Sequence, residues 1–472
     1  MRFLIRCLIF LSFSFAFSSA ETKPHFYFED SSKTTFAFIR VSASDSLTAT
    51  RFKDQDKEID NSLIFRIFAS GEITPAFYFR ATGNVFMDNS TRSYLPHNYE
   101  PFLGLPYNAY SDDEHKRTWD TFTAYSEYRF LFGKLTAGVD YLTDGVAKRN
   151  KVILRGDHFV YRPWMEQDNY LKLPAPIPFV GFELQAGPFT YTQYSGKLYH
   201  KKNKDKYIHH HRLGIELPFS VEFGVSENII YGSTVEPAGS NPNQDGDSVG
   251  RSLELIYTLP FVPYVFAEHF AGDRDNKALA FDLSIRTIPG WEFYGELFWD
   301  DMNSPLSMFD DSWWGNKWAA SVGMERKNLN LGVFLLSWIF EYTRIEPWVY
   351  THHLGASHRY THYGQSLGSD LGPNAQEIYT KADIEFKKVI LSLSLSSVAK
   401  DTAFGGNIAD IHTPESATDK KFLNDATTIR YRELSAMLCF TPWEWLQIRA
   451  GGSLFLGDYE GYRTESALSL TW

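Results

Sequence analysis

The sequence has few cysteines, no long apolar run after its first 20 residues and no excess of positive charge. Its 472 residues include 2 cysteines, 46 basic and 57 acidic residues, for a formal net charge of −11. Because Cys7 falls in the leader predicted below, Cys439 is left alone, which excludes an intrachain disulfide and a Cys-rich metal site. The acidic balance argues against nucleic acid as a partner, since nucleic-acid-binding proteins present a basic surface.

Aromatic residues, by contrast, are abundant. Phe, Tyr and Trp make up 17% of the chain, with 39 Phe, 27 Tyr and 12 Trp, while the mean hydropathy is only −0.30. A soluble globular protein rarely needs so many aromatic side chains. A membrane β-barrel does, because it carries aromatic girdles at both interfaces and distributes its other apolar residues in alternation with polar ones.

The first 20 residues are typical of a secretory signal. Arg2 and Arg6 form a charged start, and residues 7–17 are an apolar run too short to span a bilayer as a helix. Small residues up to Ala20 predict cleavage near that position. We expect residues 21–33 to be a short periplasmic lead and residues 34–472 to form the barrel.

The chain ends on an alternating segment. In residues 462–472 one parity is apolar and the other polar, as in a strand with one greasy face. The apolar parity holds Tyr462, Leu468, Leu470 and Trp472, and the polar parity holds Arg463, Glu465, Ser469 and Thr471. A strand ending on an aromatic resembles the closing strand of an outer-membrane barrel, which the barrel-assembly machinery reads. Its polar face should look into the lumen, and it should pair with a first strand near residues 36–41.

Alternation recurs along the chain, and short connections alternate with long polar ones. Tight turns are predicted at Phe132-Gly133, Gly187-Pro188, Pro218-Phe219, Pro260, Pro289-Gly290, Lys327-Asn328, Lys387-Lys388 and Pro442. Long connections are predicted at about 87–118, 143–178, 231–248, 300–315, 346–377 and 400–428, and residues 42–62 are predicted to be a polar loop. This pattern predicts an all-β fold, a single antiparallel transmembrane outer-membrane β-barrel of about 18 strands (range about 16–20). Inward loops are expected to narrow the lumen.

The densest chemistry lies between Glu341 and Asn374. It begins Glu341-Tyr342-Thr343-Arg344-Ile345-Glu346-Pro347-Trp348-Val349-Tyr350-Thr351-His352 and continues Tyr360-Thr361-His362-Tyr363-Gly364-Gln365-Ser366-Leu367-Gly368 and Leu371-Gly372-Pro373-Asn374. Aromatic faces beside planar hydrogen-bonding groups suit sugar rings, whose CH faces stack and whose hydroxyls need donors and acceptors. With a second stretch, residues 171–192, this segment resembles the Wzi capsule-assembly family.

The resemblance implies an outer-membrane barrel of about 18 strands, occluded inside, that binds capsular or related surface polysaccharide as a lectin. One departure stands out. Well-known members carry a periplasmic helical bundle before the barrel, whereas residues 63–86 already predict strands here, with Pro75 at the turn. We therefore expect no such bundle.

Candidate polysaccharide-binding residues come from this segment and from two loops. They are Glu341, Arg344, Trp348, Tyr350, Tyr360, His362, Tyr363, Gln365, Asn374, Trp164, Arg162, Trp313 and Trp314. Arg162 and Trp164 lie in the long 143–178 connection, which is expected to fold into the barrel. Trp313 and Trp314 are a sugar platform or, alternatively, part of an interface girdle. For the Glu341–Asn374 residues, a wall-fixing structural role is the alternative to glycan contact.

Two further clusters have simpler interpretations. His352, His353, His358 and His362 match no zinc signature, so solvated loop histidines are favoured over a metal site. The basic stretch around Lys201, Lys202, Lys204 and Lys206 could meet acidic polysaccharide or lipopolysaccharide phosphates, or be a solvated loop tip.

The favoured function is non-enzymatic. We expect a lectin-like outer-membrane barrel that holds or assembles capsule or exopolysaccharide, with surface polysaccharide, outer-membrane lipid or lipopolysaccharide and the barrel-assembly machinery as partners, and without a cofactor or metal. The alternatives are a porin-like channel for small anionic or sugar solutes and an outer-membrane hydrolase of lipid or glycan. Catalysis has little support, since no Gly-x-Ser-x-Gly, Walker or dinucleotide fingerprint is present.

Overall fold

In the part of the chain that the computed structural model describes, 18 antiparallel strands close into a barrel. The described residues are 27–30, 35–53, 55–90, 116–164, 174–199, 205–235, 248–249, 251–272, 274–301, 315–410 and 422–472. The first nine strands are β1 (Thr35–Phe52), β2 (Glu58–Thr74), β3 (Phe77–Ser90), β4 (Lys116–Phe130), β5 (Gly133–Asp140), β6 (Ile177–Ala186), β7 (Phe189–Leu198), β8 (Lys206–Leu217) and β9 (Val221–Gly232). The other nine are β10 (Asn276–Ile285), β11 (Trp291–Asp301), β12 (Lys317–Asn330), β13 (Leu335–Ile345), β14 (Ala375–Phe386), β15 (Val389–Asp401), β16 (Thr428–Trp443), β17 (Leu446–Gly457) and β18 (Gly461–Thr471).

Each strand pairs with its neighbours in sequence, and β18 closes the ring on β1. The register runs from Ser42 opposite Thr471 to Phe52 opposite Gly461. Trp472 extends it, donating its N–H to the Val41 carbonyl (2.7 Å) and accepting from the Val41 N–H (3.0 Å). The expected pairing of the last strand with the first is confirmed, but it runs over 41–52. The start of β1 pairs instead with a short strand, Tyr27–Asp30.

The polar segment 42–62 is not a loop, so that prediction is wrong. Residues 42–52 belong to β1 and residues 58–62 to β2, with a short connection between them. The serines and threonines misled the prediction, because they occupy the lumen face of β1 while Ala43, Leu47 and Ala49 take the outer parity. Small polar residues are normal on a wetted barrel interior.

Short turns and long connections alternate as predicted, with two corrections. The β12–β13 turn lies at residues 331–334 rather than at Lys327-Asn328, because β12 continues to Asn330 past a register shift. Pro260 is not at a strand-to-strand turn. It reverses the chain inside the long connection 233–275, which separates β9 from β10 and also holds a 3₁₀ turn, Leu255–Thr258, and the helix α1, Tyr264–Ala271.

The two faces of the wall differ as the alternation predicted. Outward positions expose apolar side chains, including Ile67, Phe122, Leu135, Val180, Val322 and Ile378. Lumen positions carry polar and charged groups, as on β18, where Arg463 lies over the ring of Tyr161 from an internal loop (4.5 Å). Tyr462 and Trp472 are exposed on the outer face, whereas Leu470 is only 6% exposed between Ala43 and Leu446 of the adjacent strands. Among the described residues, no helix has the length and apolarity to cross a membrane.

Candidate functional site

The connection between β5 and β6 folds into the lumen, as predicted for the 143–178 segment. Its described part, residues 141–164, is called the plug loop here. Thr143–Asp144 and Leu154–Arg155 pair as a two-residue ladder within it. Val152, Ile153 and Leu154 are at most 1% exposed and form the centre of the main apolar cluster. An apolar run that would be costly at a loop tip is therefore buried inside the barrel.

Two carboxylates on the lumen wall hold the plug loop by its backbone. Glu341 of β13 accepts from the amides of Lys148 (2.8 Å), Arg149 (2.9 Å) and Asn150 (2.7 Å). Glu296 of β11 accepts from the amides of residues 147 and 152, the latter at 2.9 Å. Backbone amides can fully satisfy a buried carboxylate, so these two residues form a clamp on residues 147–152.

The clamp requires a close backbone approach at Gly145. Its φ is +101°, and a Cβ there would lie 2.5 Å from Oε1 of Glu296. Any other residue would both strain the backbone and displace the clamp carboxylate.

A buried ion pair anchors the other end of the plug loop. Arg162 is fully buried and donates through Nη2 to Oε2 of Glu377 on β14 (2.7 Å) and to Oδ1 of Asn150 (2.8 Å). Glu377 also accepts from Asn150 Nδ2 (2.8 Å) and lies 3.2 Å from Nη2 of Arg149. Burial alone would lower the pKa of Arg162, but the charge of Glu377 outweighs it and raises that pKa.

The connection between β13 and β14, residues 346–374, packs on top of the plug loop and is called the mouth segment. Tyr350 donates its hydroxyl to the Val152 carbonyl (2.8 Å), and Tyr360 donates to the Ile153 carbonyl (2.9 Å). The rings of both tyrosines lie against Phe298 of β11, with centroids 5.3 and 5.0 Å away. The two connections therefore close the lumen at the end of the barrel where the long connections lie, which is called the loop end.

Most of the predicted binding residues are interior parts of this closure. Glu341, Tyr350, Tyr360, His362, Asn374, Arg162 and Trp348 are all buried. Trp348 packs edge-on against Phe404 (4.5 Å), and Asn374 donates to the Phe404 carbonyl (2.6 Å) and accepts from the Leu423 amide (2.9 Å). These side chains hold the loop end together rather than offering surface to a ligand.

Four predicted residues keep accessible surface. Tyr363, Gln365 and Trp164 are half-buried, and the Arg344 side chain is 33% exposed. Arg344 donates to Glu346 (2.6 Å) and lies over the Phe422 ring (3.9 Å). Trp313, Trp314 and the lysines Lys201, Lys202 and Lys204 lie outside the described residues. Lys206 is buried and donates to carbonyls of residues 356, 359 and 361.

An aromatic pair stands at the rim of the closed mouth. The rings of Tyr199, at the end of β7, and Tyr363 stack with centroids 4.5 Å apart and planes at 20°. The Tyr363 amide donates to the Tyr199 carbonyl (2.8 Å). Neither ring is fully buried, so the pair presents aromatic surface beside Gln365 at the loop end. Sequence reasoning found Tyr363 but missed Tyr199, which lies 164 positions away.

The mouth segment holds several non-glycine residues in left-handed backbone conformations. They are Trp348 (φ 59°), Tyr350 (φ 72°), Tyr363 (φ 50°) and Asn374 (φ 50°). Such conformations cost about 1 kcal/mol or more each and persist where surrounding contacts determine them. Their concentration in one segment is typical of a functional rather than a passive loop.

His362 fixes the aromatic pair from beneath and must stay neutral to do so. Its Nδ1 accepts from the Tyr199 amide (2.9 Å), which assigns the ring proton to Nε2, and Nε2 donates to the Pro176 carbonyl (3.2 Å). Burial lowers the pKa of His362 to about 3. Because this lies below the usual value near 6.5, the unfolded chain binds the proton more readily between these pH values.

We therefore expect acid to loosen the rim. His362 contributes its full stabilisation above about pH 6.5 and loses it progressively toward pH 3, by about 2 kcal/mol at pH 5. Hydrogen exchange of the Tyr199 and Tyr363 amides should quicken between pH 7.5 and 5 after correction for the intrinsic rate. His362→Asn, which keeps an acceptor without titrating in this range, should flatten the dependence. Equal protection at both pH values in the unsubstituted protein would contradict the assignment.

Below the plug loop, the two walls of the lumen carry different charged side chains. On the wall formed by β1 to β4, Arg40, Arg66, Arg80 and Arg129 face the lumen and are nevertheless exposed. Arg66 donates to Asn84 (2.7 Å), and Arg129 pairs with Glu127 (2.6 Å) and Glu72 (2.9 Å). The opposite wall binds the cations of the plug loop through Glu292 (3.0 Å) and Glu377 (3.2 Å), and Glu325 and Glu433 approach them at 4.0 and 3.9 Å. These four arginines therefore form one exposed basic cluster on the wall of β1 to β4.

In the described part of the chain, no group of three or more His, Cys, Asp or Glu side chains is arranged so that it could hold a metal ion. Burial lowers the pKa of His358 to about 3, and its Nε2 lies 3.9 Å from Asp275. His352 and His358 stack on each other (5.4 Å). His358 and His362 are buried, so the expectation of solvated loop histidines is wrong for these two, whereas His353 is exposed.

Comparisons with known proteins agree on the fold. Wzi, an outer-membrane protein of Escherichia coli involved in group 1 capsule assembly and a carbohydrate-binding β-barrel, is similar with a TM-score of 0.54 at 14% identity, over 92% of this chain and 84% of that one. The Pseudomonas aeruginosa outer-membrane protein OpdK follows at TM-score 0.47 and 10% identity, covering 92% and 98%. OccK2 from the same organism, in complex with glucuronate, gives 0.47 and 8%, covering 92% and 96%.

At 14% identity, the likeness to Wzi shows the outer-membrane barrel fold alone. No protein-family model matches the chain. No curated protein matches it either.

Proposed function

We propose that the chain is a Wzi-like outer-membrane barrel that binds surface polysaccharide at its loop end and helps assemble or retain capsule or exopolysaccharide. The observation that carries this proposal is the stacked Tyr199–Tyr363 pair at the rim of a mouth closed by the plug loop and the mouth segment. A closed mouth disfavours bulk transport through that end, while a partly exposed aromatic pair suits a polymer that lies across it.

The chemistry of the rim matches a sugar. Aromatic rings stack on the CH face of a pyranose, and amide and guanidinium groups bind its hydroxyls or carboxylates. Tyr363 and Tyr199 would supply the stacking surface, with Gln365 beside them as a donor and acceptor. Arg344, which lies in another part of the mouth, would bind the carboxylates of acidic sugars in the polymer. Binding and retention need no catalytic group, so we propose a non-enzyme.

The location belongs to the same proposal. Apolar side chains on the outside of the wall, the closing aromatic Trp472 and the predicted secretory signal all support the outer membrane. Outer-membrane lipid and the barrel-assembly machinery would then be partners of the wall and of the last strand. The short turns would face the periplasm and the mouth segment the cell surface.

Removing either ring of the rim pair should weaken polysaccharide binding. We expect Tyr363→Ala and Tyr199→Ala each to raise the Kd for native capsule or exopolysaccharide at least about tenfold, about 1.4 kcal/mol. The purified barrel in detergent would be tested by pull-down and by biolayer interferometry with immobilised polysaccharide. A deletion strain complemented with each variant would report polysaccharide retained at the cell surface.

Trp445→Ala provides the matched control, because Trp443 and Trp445 form a stacked pair (5.2 Å) at the opposite, short-turn end. It should leave polysaccharide binding unchanged. Unaltered binding in both rim variants would contradict the rim assignment. Full retention of surface polysaccharide in the deletion strain itself would contradict the proposed function.

A second candidate function, a channel for anionic solutes, is favoured by one observation. The lumen-facing arginines Arg40, Arg66, Arg80 and Arg129 are exposed below the closed mouth. Exposed guanidinium groups in a narrow lumen with low-dielectric walls attract anions strongly. Conductance separates the two candidates, since a closed lectin barrel should conduct little and a porin steadily.

A further inference from the structure

Part of the long connection between β9 and β10 lies outside the barrel, not over its mouth. Residues 251–272, called the flap here, contain the 3₁₀ turn and α1. They pack on outward positions of the wall, since Lys277 of β10 bonds Glu268 of α1 and His211 of β8 stacks on Tyr264 (4.2 Å). The neighbouring positions, such as His210 and Asp282, point into the lumen, where Asp144 and Arg212 meet them.

The wall beneath the flap breaks the apolar alternation. Its outward positions on β7 to β10 include Gln193, Ser195, His209, His211, Glu227 and Lys277, side chains that would be costly against hydrocarbon. Strands elsewhere in the wall place Val180, Val322 or Ile378 outward instead. A bare polar sector of this kind would not be stable in a membrane.

The flap satisfies this polar sector. Gln193 donates to the Thr258 carbonyl (3.0 Å), and Glu227 accepts from the Tyr264 amide (2.8 Å). The Glu254 amide donates to the hydroxyl of Tyr231, which lies 3.1 Å from Nε2 of His209. Tyr231, Tyr257 and Tyr264 form an apolar cluster around these bonds, separate from the core inside the lumen.

The flap reaches well down the wall. At its lowest point the ring of Phe261 lies 4.4 Å from that of Tyr191, and the Phe261 amide donates to the Tyr191 hydroxyl (3.0 Å). Tyr191 is seven positions from Leu198, where β7 ends on the loop side, or about 23 Å along the strand at about 3.3 Å per residue. At the usual strand tilt of about 35–45° this is a descent of about 16–19 Å, so the flap overlaps the apolar band, which is about 25 Å tall in such barrels.

The outer side of the flap is strongly apolar. Phe266 is 66% and Phe270 84% exposed, and they lie one turn apart on α1, opposite the buried Tyr264 and Ala267. Leu255 and Phe261 are exposed beside them. At its start the Tyr264 amide donates to Glu227 on the wall, and at its end Gly272, with φ +103°, donates to the carbonyls of Glu268 and His269. A capped helix with such a face is compatible with a lipid environment.

We propose that the flap lies within the membrane, with lipid acyl chains packed against Leu255, Phe261, Phe266 and Phe270. In this sector the lipid meets the flap, and the strands β7 to β10 form a second, inner layer. The occupant is lipid rather than a second copy of the chain, because the face continues the apolar wall at the same height, with Leu213 and Leu283 exposed on the strands beside it. This inference rests on the proposed outer-membrane location.

Spin labels can test where the flap lies. Single cysteines would be introduced at Phe266 and Phe270 in the full chain with Cys7→Ala and Cys439→Ala, and the labelled barrels reconstituted in phospholipid nanodiscs. Val322→Cys labels the bare wall, where the side chain is 51% exposed, and Lys53→Cys labels a loop tip. Power saturation then compares accessibility to oxygen, which partitions into lipid, with accessibility to a water-soluble nickel chelate.

We expect the Phe266→Cys and Phe270→Cys labels to match the Val322→Cys label, with high oxygen and low nickel accessibility. Labels that resemble Lys53→Cys, while Val322→Cys remains in lipid, would overturn the flap proposal and leave the location intact. Low accessibility to both reagents would also overturn it, in favour of contact with a second copy. A Val322→Cys label in water would instead refute the outer-membrane location.

Discussion

Glu341→Gln is expected to release the plug loop from the lumen wall and to raise the single-channel conductance of the barrel at least about tenfold. Glu341 is 1% exposed and accepts three consecutive backbone amides of the plug loop as well as the hydroxyl of Tyr294 (2.9 Å). A glutamine has the same shape but brings one acceptor oxygen and a donating amide, which meets backbone N–H groups that also donate.

The energetic effect should be large because nothing replaces the lost carboxylate. Hydrogen bonds to a buried charge are worth about 1.5–3 kcal/mol each, and breaking a buried charged network costs about 3–5 kcal/mol. Lys148 and Arg149 would lose a nearby counter-charge at the same time. The wall itself is held by its own ladder, so the cost falls on the attachment of the plug loop rather than on barrel closure.

Planar lipid bilayer recordings and limited proteolysis would measure this release together. Cleavage within residues 145–152 should appear in Glu341→Gln and be absent from the unsubstituted protein. Glu433→Gln is the matched control, since Glu433 faces the same lumen but accepts from Ser435 (3.0 Å) and Ser453 (2.7 Å) and only approaches Arg149 (3.9 Å). Indistinguishable conductance in Glu341→Gln and Glu433→Gln would contradict the clamp.

The clamp also illustrates what sequence could and could not predict. Alternation at a period of two predicted the strands, the outward face and the closing pair, because a barrel repeats one local rule in every strand. It failed where a segment departs from that rule. Residues 42–52 are a strand whose lumen face is small and polar, and Pro260 turns the chain on the outside of the wall.

The chemistry of the loop end was predicted as a segment but not as a geometry. The stretch from Glu341 to Asn374 does build the mouth, yet Glu341, Tyr350 and Tyr360 bind the plug loop, which lies about 190 residues earlier in the chain. Nothing local distinguishes Glu341, which is consumed by backbone amides, from a carboxylate facing a ligand. Glu296 and Glu377 belong to no sequence motif, because they lie on separate strands and come together only by facing the same lumen.

The flap shows the same limit from the outside. His209, His210 and His211 are consecutive, so two of them had to face one side of the wall and one the other. A pair of outward histidines in a membrane strand was the available signal that something covers the strand. The covering segment could not be assigned from sequence, since the aromatic residues 257–264 are as consistent with a surface loop.

The arginines below the closed mouth are expected to set the ion selectivity of the barrel once its mouth is opened. Arg40, Arg66 and Arg80 lie on three adjacent strands, with Arg66 opposite Ser42 and Arg80 opposite Ser70. Arg80 keeps 48% of its side chain exposed despite its bond to Asp140. With Arg129 they form one positively charged lumen wall, while the opposite wall is neutralised by the cations of the plug loop.

Once the mouth is opened by Glu341→Gln, the current should therefore be carried mainly by anions. Replacing Arg40, Arg66 and Arg80 together with serine removes three positive charges and leaves Glu72 and Glu127 on the same wall. The reversal potential in a tenfold KCl gradient should then change sign, from anion-selective toward cation-selective. Because fixed charges in a narrow lumen act over about one Debye length, near 10 Å at 0.1 M salt, the effect should fade above about 1 M.

A matched triple substitution separates charge near the path from charge in general. Arg430, Arg432 and Lys387 carry three positive charges on exposed residues of the outer parity or a short turn, and their replacement by serine changes the net charge of the protein equally. It should leave the reversal potential of the Glu341→Gln barrel unchanged. If both triple variants gave the same reversal potential, ions would not pass the wall formed by β1 to β4. The unsubstituted protein then decides between functions: low conductance that Glu341→Gln raises supports a closed, polysaccharide-binding barrel, whereas a steady anion current without any substitution supports the channel.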